Sequence, residues 1–550
     1  MKWLNEHSRL FLSRGYLAEG VSAEERVRDI AETAQEFLGI EGFADKFYDY
    51  MERGFYSLAS PVWSNFGTDK GLPISCFGSH LPDHMGGILY TQSEVGMMSK
   101  FGGGTSGYFG DLRHRGAPIT NNGESSGAVH FMKLFETIID VVSQGSTRRG
   151  RFAPYLPIDH PDIHEFLEIG TEGNPIQELT HGVTVTDEWM NAMIAGDPEK
   201  RNAWAKLIQR RVEIGYPYIF FKDTVNRETV EVYKDKGLEI RHSNLCSEIA
   251  LPSTDDWSFV CNLSSMNILM YDEWKDTDAV ETIVFLLDAV MSEFLQKLET
   301  LRDSEEKENQ LAFSFMERAY NFAKANRALG LGGLGWHSYL QSKMIPFESM
   351  EATKLNAQIF KNIQTNAHAA SEKLAKLYGE PEILKGYGRR NTTLTAIAPT
   401  TSSAFILGQV SQSIEPTWSN NYVKDVAKTK ISIRNPYLKE VLKKYDMDTR
   451  EVWIDIRNHL DFLTDHEKEV FKTFSEIDQY VVLDQAAIRQ QFLDQSQSLN
   501  IMVNPSMSAK EMNELYLFAW RNGVKSLYYQ HSTSAAQQFS KDKLCIVCEA

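Results

Sequence analysis

Asn244-Leu245-Cys246-Ser247-Glu248, running on into Ile249-Ala250-Leu251-Pro252, is the stretch that decides how this chain is read. As a strand it puts alternate side chains on one face, so Asn244, Cys246 and Glu248 line up with an apolar run leading away. A lone cysteine on an ordinary strand is usually an inert core thiol. The flanking amide and carboxylate argue against that here, because burying them without partners is costly. One surface then carries a donor, a hydrogen source and a base.

The rest of the chain bounds what such a surface serves. At 550 residues there is room for a large core, about three or four domains by length alone, although barrel folds break that count. The 57 basic and 74 acidic residues leave a net charge of −17, which argues against broad binding to nucleic acid or an anionic membrane. Small phosphorylated ligands stay open, since they need only local basic groups or helix N-termini. Met1-Lys2-Trp3-Leu4-Asn5-Glu6-His7 has no apolar core of signal type, and no run approaches the ~18 apolar residues of a membrane span, so the expected compartment is cytoplasmic. The five cysteines, Cys76, Cys246, Cys261, Cys545 and Cys548, are too few and too scattered for a structural disulfide framework, and point to redox or catalytic use. Cys545 and Cys548 form a Cys-x-x-Cys pair with no second pair to complete a zinc site, which suits thiol–disulfide exchange.

In chain order, residues 1–55 read as helical, with Ser22-Ala23-Glu24-Glu25 as a capping start before Val27, Ile30 and Ala34. Short extended pieces follow from Leu58 to Cys76. Gly102, Gly104 and Gly107, like Gly330, Gly332 and Gly335, match a dinucleotide fingerprint in form only, and close backbone packing is the better reading. Residues 128–145 predict an apolar helix ending in a basic loop from Ser143 to Arg151. Helical, charged sequence is expected over 185–240, strands around 244–251 and 259–269, helices over 276–302, 309–342 and 350–378, a strand at 393–398, and a helix at 508–522. Pro399-Thr400-Thr401-Ser402-Ser403 offers hydroxyls between a strand and a helix, either a phosphate cradle or a plain N-cap. Tyr528-Tyr529 is either a packed aromatic pair or a relay for proton-coupled electron transfer.

Taken together, these motifs resemble the large subunit of class I ribonucleotide reductase. Asn244 to Ile249, Ser75-Cys76, Cys261-Asn262-Leu263, Arg327 to Gly332, Pro399 to Ser403, Tyr528-Tyr529 and the terminal cysteine pair occur in that family's order, over about residues 55–550. The resemblance implies a ten-stranded α/β barrel over 56–530 with helical insertions, an N-terminal helical cap over 1–55 and a mobile redox tail over 531–550. It implies that Cys246 becomes a transient thiyl radical, Glu248 is the general base and Asn244 holds the ribose hydroxyl region. Cys76 and Cys261 become the reducing dithiol, renewed by Cys545 and Cys548 and then by thioredoxin or glutaredoxin. Ser60, Ser75 and Pro399, Thr400, Thr401, Ser402 and Ser403 surround substrate. Tyr528 and Tyr529 receive an oxidising equivalent from a separate small subunit that carries the metal or radical cofactor; no metal site or covalent cofactor is expected in this chain.

A homodimer is implied, with a nucleoside triphosphate and Mg2+ at a specificity site near Asp83, Arg113, Gln144 and Arg148. The short stretch before the barrel predicts no ATP-binding activity domain. The expected reaction is reduction of ribonucleoside diphosphates. The alternatives are a cobalamin-dependent reductase, which needs no tyrosine pair, a nucleotide-sensing barrel without catalysis, and a zinc or thiol-redox module.

Overall fold

The computed structural model describes residues 1–142, 149–426 and 429–533. Its strands are β1 (Tyr56–Leu58), β2 (Cys76–His80), β3 (Gly104–Tyr108), β4 (Arg151–Pro157), β5 (Gly182–Val185), β6 (Tyr218–Phe221), β7 (Phe259–Asn267) and β8 (Leu329–Leu334), then a hairpin of β9 (Asn421–Val426) and β10 (Thr429–Arg434), and finally β11 (Ile501–Val503), β12 (Ser526–Leu527) and β13 (Gln530–Ser532). Strands β2 to β6 lie parallel in sequence order, with helices in the crossovers, among them Met85–Lys100 and Ala128–Val141. They are buried along nearly their whole length, as strands covered on both faces must be.

Two seams curl this sheet around. On one side β2 pairs antiparallel with β7, which pairs in parallel with β8; on the other, β6 pairs antiparallel with β12. From β8 the path continues through the parallel bridges Leu331 to Thr395 and Ile397 to Gln497, and β11 runs parallel to β13, which begins four residues after the start of β12 on the same extended stretch. The pairing therefore forms a closed circuit of two parallel halves joined antiparallel. Regular ladders account for nine strands of one sheet; the links between β8 and β11 are single bridges.

One continuous apolar core runs from the N-terminal helices into the barrel wall, so residues 1–55 pack as part of the barrel. The capping box forms as expected: Ser22 accepts from Glu25 N, and the Glu25 carboxylate accepts from Ser22 N, at the start of helix Ala23–Leu38. Val27, Ile30 and Ala34 are fully buried. On the same helix, buried Arg26 donates to the carbonyls of Val62, Trp63 and Phe66, which ties it to the barrel. Helix Met350–Tyr378 matches its expected bounds, and helix Ala509–Arg521 nearly does. No helix among the described residues is long and apolar enough to cross a membrane.

Five expectations need correction. Residues 244–248 are a tight turn; the backbone closes on itself through an antiparallel bridge between Ser243 and Ala250. The helical reading of 309–342 hides β8, whose Leu-Gly-Leu-Gly-Gly-Leu sequence lets neighbouring backbone approach where a side chain would collide: a Cβ on Gly332 would lie 2.4 Å from Ala396 O. The helical reading of 185–240 hides β6, and 58–76 contains a short helix, Ser60–Asn65. Strand β13 also extends to Ser532, past the expected start of the tail.

Candidate active site

The antiparallel register of β2 and β7 sets Cys76 directly opposite Cys261. Directly opposed antiparallel residues have Cα atoms about 4.5–5.5 Å apart, within the span a disulfide bridges. Neither is in a disulfide here, and nor is Cys246. Cys261 is buried, and burial pushes its thiol well above the ordinary range, partly offset by the Gln495 amide, which donates to Sγ at 3.4 Å. Gly330 on β8 leaves that sulfur its space: a Cβ there would lie 3.2 Å from Cys261 Sγ and 2.5 Å from Leu263.

Facing this pair is the 244–248 turn. Ser247 adopts a left-handed backbone (φ 69°), a cost of about 1–3 kcal/mol that persists only where surroundings impose it. Those surroundings are hydrogen bonds to successive loop residues. Ser498 Oγ donates to Cys246 O, Ser526 Oγ to Ser247 O at 2.9 Å, and Ser496 N to Glu248 O at 2.9 Å. Asn244 Oδ1 accepts from Ile249 N at 3.1 Å, while its Nδ2 reaches Cys76 Sγ at 4.0 Å. The loop so places Asn244 over the thiol pair, with Cys246 two residues away. Tyr155 OH supports its base, at 2.6 Å from Ser243 Oγ and 3.0 Å from Asn244 O.

Glu248 is 1 % exposed. Burial raises its carboxyl to about 7, against the pull of its own N–H, Asn244 and Ser498, whose Oγ lies 3.1 Å from Oε2. A carboxyl poised near neutrality can take up and return a proton under ordinary conditions.

Tyr528 and Tyr529 are buried with ring centroids 4.4 Å apart, and Tyr218 packs at 4.9 and 5.2 Å from them. They sit on the same stretch as Ser526, which grips the loop at Ser247. Half-buried His531 lies 5.7 Å from Tyr529 and 4.3 Å from Trp418. Asn500 links His531 Nε2 (3.3 Å) to the buried carboxylate of Glu415 (2.8 Å), whose pKa burial raises to about 7.

The hydroxyl loop after Pro399 leads into a short helix, Thr401–Ile406, without a side-chain cap. Thr400 Oγ1 accepts from Ser413 N at 2.8 Å, and Ser402 Oγ is buried without a hydrogen-bond partner among the described residues. Ser403 O accepts from Ser57 Oγ at 2.8 Å, which brings this loop against β1, just before Ser60. Ser75 O accepts from Gly104 N at 2.6 Å, beside Cys76. Asp83 and Arg113 meet as an ion pair at 3.0 Å, apart from the thiol cluster. Gln144, Arg148, Cys545 and Cys548 lie outside the described residues. A surface cavity of about 710 Å³ near Lys70, Glu293 and Lys297 shares no lining residue with the thiols.

Gln495, Ser496, Ser498 and Ser526 hold the loop, and none of them is among the site residues expected from the sequence. The signal was present: Gln495-Ser496-Gln497-Ser498 is an all-polar run between Leu493 and Leu499, and its members are all nearly inaccessible. Buried polar side chains in such a run need partners.

The family model described as "Ribonucleotide reductase, barrel domain" matches residues 74–200, 197–383 and 381–530. A putative ribonucleoside-diphosphate reductase large subunit of Frog virus 3 (isolate Goorha) is 38% identical over 511 residues, covering 88% of this chain and 87% of that protein. The ribonucleoside-diphosphate reductase large subunit of Invertebrate iridescent virus 3 is 31% identical over an alignment of 605 residues, covering 92% of each. Among solved structures, the Actinobacillus ureae class Id ribonucleotide reductase alpha subunit superposes with a TM-score of 0.90 at 55% identity, covering 98% of both chains.

Proposed function

This chain belongs to the ribonucleotide reductase family, and we propose from that premise that it is the catalytic large subunit of a class I enzyme, reducing ribonucleoside diphosphates to 2′-deoxyribonucleoside diphosphates. The observation that carries the reading is the register of Cys76 against Cys261, beneath the loop that holds Asn244, Cys246 and Glu248. Cys246, as a thiyl radical, takes hydrogen from C3′ of the ribose. Glu248 accepts the 3′-hydroxyl proton, and Asn244 orients that hydroxyl. The C2′–O bond breaks and the 2′-hydroxyl leaves as water with one proton from the Cys76–Cys261 dithiol; the second hydrogen and the two electrons of that pair form the new C2′–H bond as the sulfurs join in a disulfide, and Glu248 returns its proton to the 3′ oxygen. Cys246 returns hydrogen to C3′ and is a thiyl again. The loop is buried on both sides of a partly exposed Cys246, which suits this sequence: substrate can reach the sulfur while the rest of the loop is kept from water.

Tyr528 and Tyr529 relay the oxidising equivalent, which a separate small subunit supplies from its metal cofactor. Ser60, Ser75 and Pro399 to Ser403 line the substrate's ribose and phosphates. Cys545 and Cys548 return electrons to the inner pair from thioredoxin or glutaredoxin. Asp83 and Arg113, with Gln144 and Arg148, take a nucleoside triphosphate with Mg2+ at a dimer interface. The class Id neighbour and the paired tyrosines favour this reading over a cobalamin-dependent one. The test is turnover of a ribonucleoside diphosphate with the small subunit added. Activity surviving Cys246→Ser, or activity that needs cobalamin in place of the small subunit, overturns it.

A further inference from the structure

One side chain touches both the dithiol and the radical loop. Gln495 is fully buried. Its Oε1 accepts from Ala250 N at 3.0 Å, and because a backbone N–H can only donate, this contact fixes which end of the amide is oxygen. Ala250 is the far side of the bridge to Ser243 that closes the Cys246 loop. The Nε2 of the same amide faces three acceptors: Cys261 Sγ at 3.4 Å, Leu329 O at 3.2 Å and Thr393 Oγ1 at 3.1 Å. An amide has two N–H bonds, so three acceptors compete for two hydrogens. When Cys261 is a thiol, its sulfur has a share in them. When Cys261 bonds to Cys76, its sulfur is drawn toward β2 and the hydrogens go to Leu329 O and Thr393 Oγ1. Oxygen and nitrogen of an amide share one rigid plane, so that change also re-aims Oε1 against Ala250 N.

We propose that Gln495 is a positioning residue that couples the oxidation state of the Cys76–Cys261 pair to the order of the loop carrying Cys246. A spent dithiol then loosens the loop, and a reduced one draws it back into place for the next radical. The inference rests on the proposed reaction, in which the pair gives up two protons and two electrons to become a disulfide; in the test below, oxidised dithiothreitol accepts them.

The test uses the full chain with Cys545 and Cys548 replaced by serine, so that only the inner pair exchanges. Protein is equilibrated with oxidised or reduced dithiothreitol, the Cys76–Cys261 disulfide is counted by mass spectrometry, and amide hydrogen exchange is followed in the peptide spanning 243–250. In the parent, oxidation speeds exchange there by about fivefold, the worth of one hydrogen bond. In Gln495→Met, which keeps the length but has no donor, both states exchange at the fast rate and the ratio falls to about one. The same substitution shifts the dithiol–disulfide equilibrium toward disulfide by about fivefold, about 20 mV. Gln495→Glu, kept neutral by burial near pH 6, retains an acceptor and one donor and restores most of the ratio. A merely structural glutamine would speed exchange in both states and leave their ratio intact; that result in Gln495→Met, or in the equally donor-free Gln495→Leu should Gln495→Met not fold, overturns the proposal, as does a ratio of about one in Gln495→Glu. If no disulfide forms in the parent, the proposed reaction itself fails, and that outcome is distinct from a disulfide that forms without changing the loop.

Discussion

Ser498→Ala isolates one hydroxyl that stands between the Cys246 loop and Glu248, the proposed base. Its Oγ lies 3.1 Å from Glu248 Oε2 and also donates to Cys246 O. A hydrogen bond to a charged group contributes roughly 1.5–3 kcal/mol, but one hydrogen is shared between two acceptors, so about 1 kcal/mol reaches the carboxylate. That is close to one pKa unit. Glu248 is already raised to about 7, with Ser498 among the groups holding it down, so the alanine variant should titrate near 8. The base must be ionised to accept a proton, so kcat/KM rises with pH through the Glu248 pKa. At about pH 7 the ionised fraction drops from roughly one half to roughly one tenth, a loss of about fivefold, whereas at about pH 9 both enzymes are almost fully ionised and nearly equal. The assay is the initial rate of deoxynucleotide formation with small subunit in excess, as kcat/KM at intervals from about pH 6 to about pH 9. Ser498→Thr, which keeps the hydroxyl, should follow the parent. A uniform drop across the range with no shift of the midpoint would refute the reasoning and leave Ser498 as a support for the Cys246 backbone alone.

Glu248 also makes the fold pH-sensitive. Its carboxyl titrates near 4.5 when unfolded and near 7 when folded, so between those values the folded chain holds a proton the unfolded chain has released. Stability from this group is full below about pH 4.5 and is lost as pH rises to about 7, roughly 3 kcal/mol in all. Glu248→Gln should therefore raise the unfolding midpoint in denaturant at about pH 8 and leave it nearly unchanged at about pH 4; equal effects at both would show the carboxylate is not held neutral. Tyr529→Phe should abolish turnover with the small subunit yet leave Cys76 and Cys261 able to form a disulfide with oxidised dithiothreitol, and turnover within a few-fold of the parent would remove this residue from the relay. Glu94 and Arg318 form a buried bidentate pair at 2.9–3.0 Å, supported by Ser258, between β2 and the start of β7. Arg318→Met should cost about 3–5 kcal/mol in denaturant unfolding because it strands a buried carboxylate, and a loss under 1 kcal/mol would mean water reaches Glu94.

The sequence showed its long amphipathic helices and its chemistry more clearly than its strands. Helix Met350–Tyr378 carries a regular apolar stripe, and Ser22 with Glu25 spells out its own cap. The strands gave no comparable sign. β3 reads Gly-Thr-Ser-Gly-Tyr and β8 reads Leu-Gly-Leu-Gly-Gly-Leu, because the barrel interior holds a loop and a thiol where a core would hold side chains. Gly104 illustrates this: a Cβ there would come within 3.2 Å of Leu245, inside the loop itself. Cys246 stood out because of its neighbours: a thiol is common in a core, but an amide and a carboxylate beside it, Asn244 and Glu248, are costly to bury without partners. Gln495 and Ser498 were harder to see: their all-polar run between leucines hints at buried partners, but no glutamine or serine shows from sequence that it is buried or where it points.

The turn at 244–248 accounts for both halves of that outcome. A strand could have shown Asn244, Cys246 and Glu248 on one face, but a strand in the wall keeps its residues at the wall, and Cys76 and Cys261 already occupy wall positions on β2 and β7. For a third thiol to approach that pair from the opposite side, the backbone must leave the wall and enter the barrel. It must then supply partners for polar groups that a ladder would have satisfied. Ser496, Ser498 and Ser526 are those partners, and Ser247's left-handed backbone is the local cost of the turn. Because Ser526 stands two residues before Tyr528, the brace for the loop and the proposed radical relay are one stretch of chain. A change that shifts β12 must therefore move the tyrosines and the thiol together, keeping their spacing while other parts of the molecule flex.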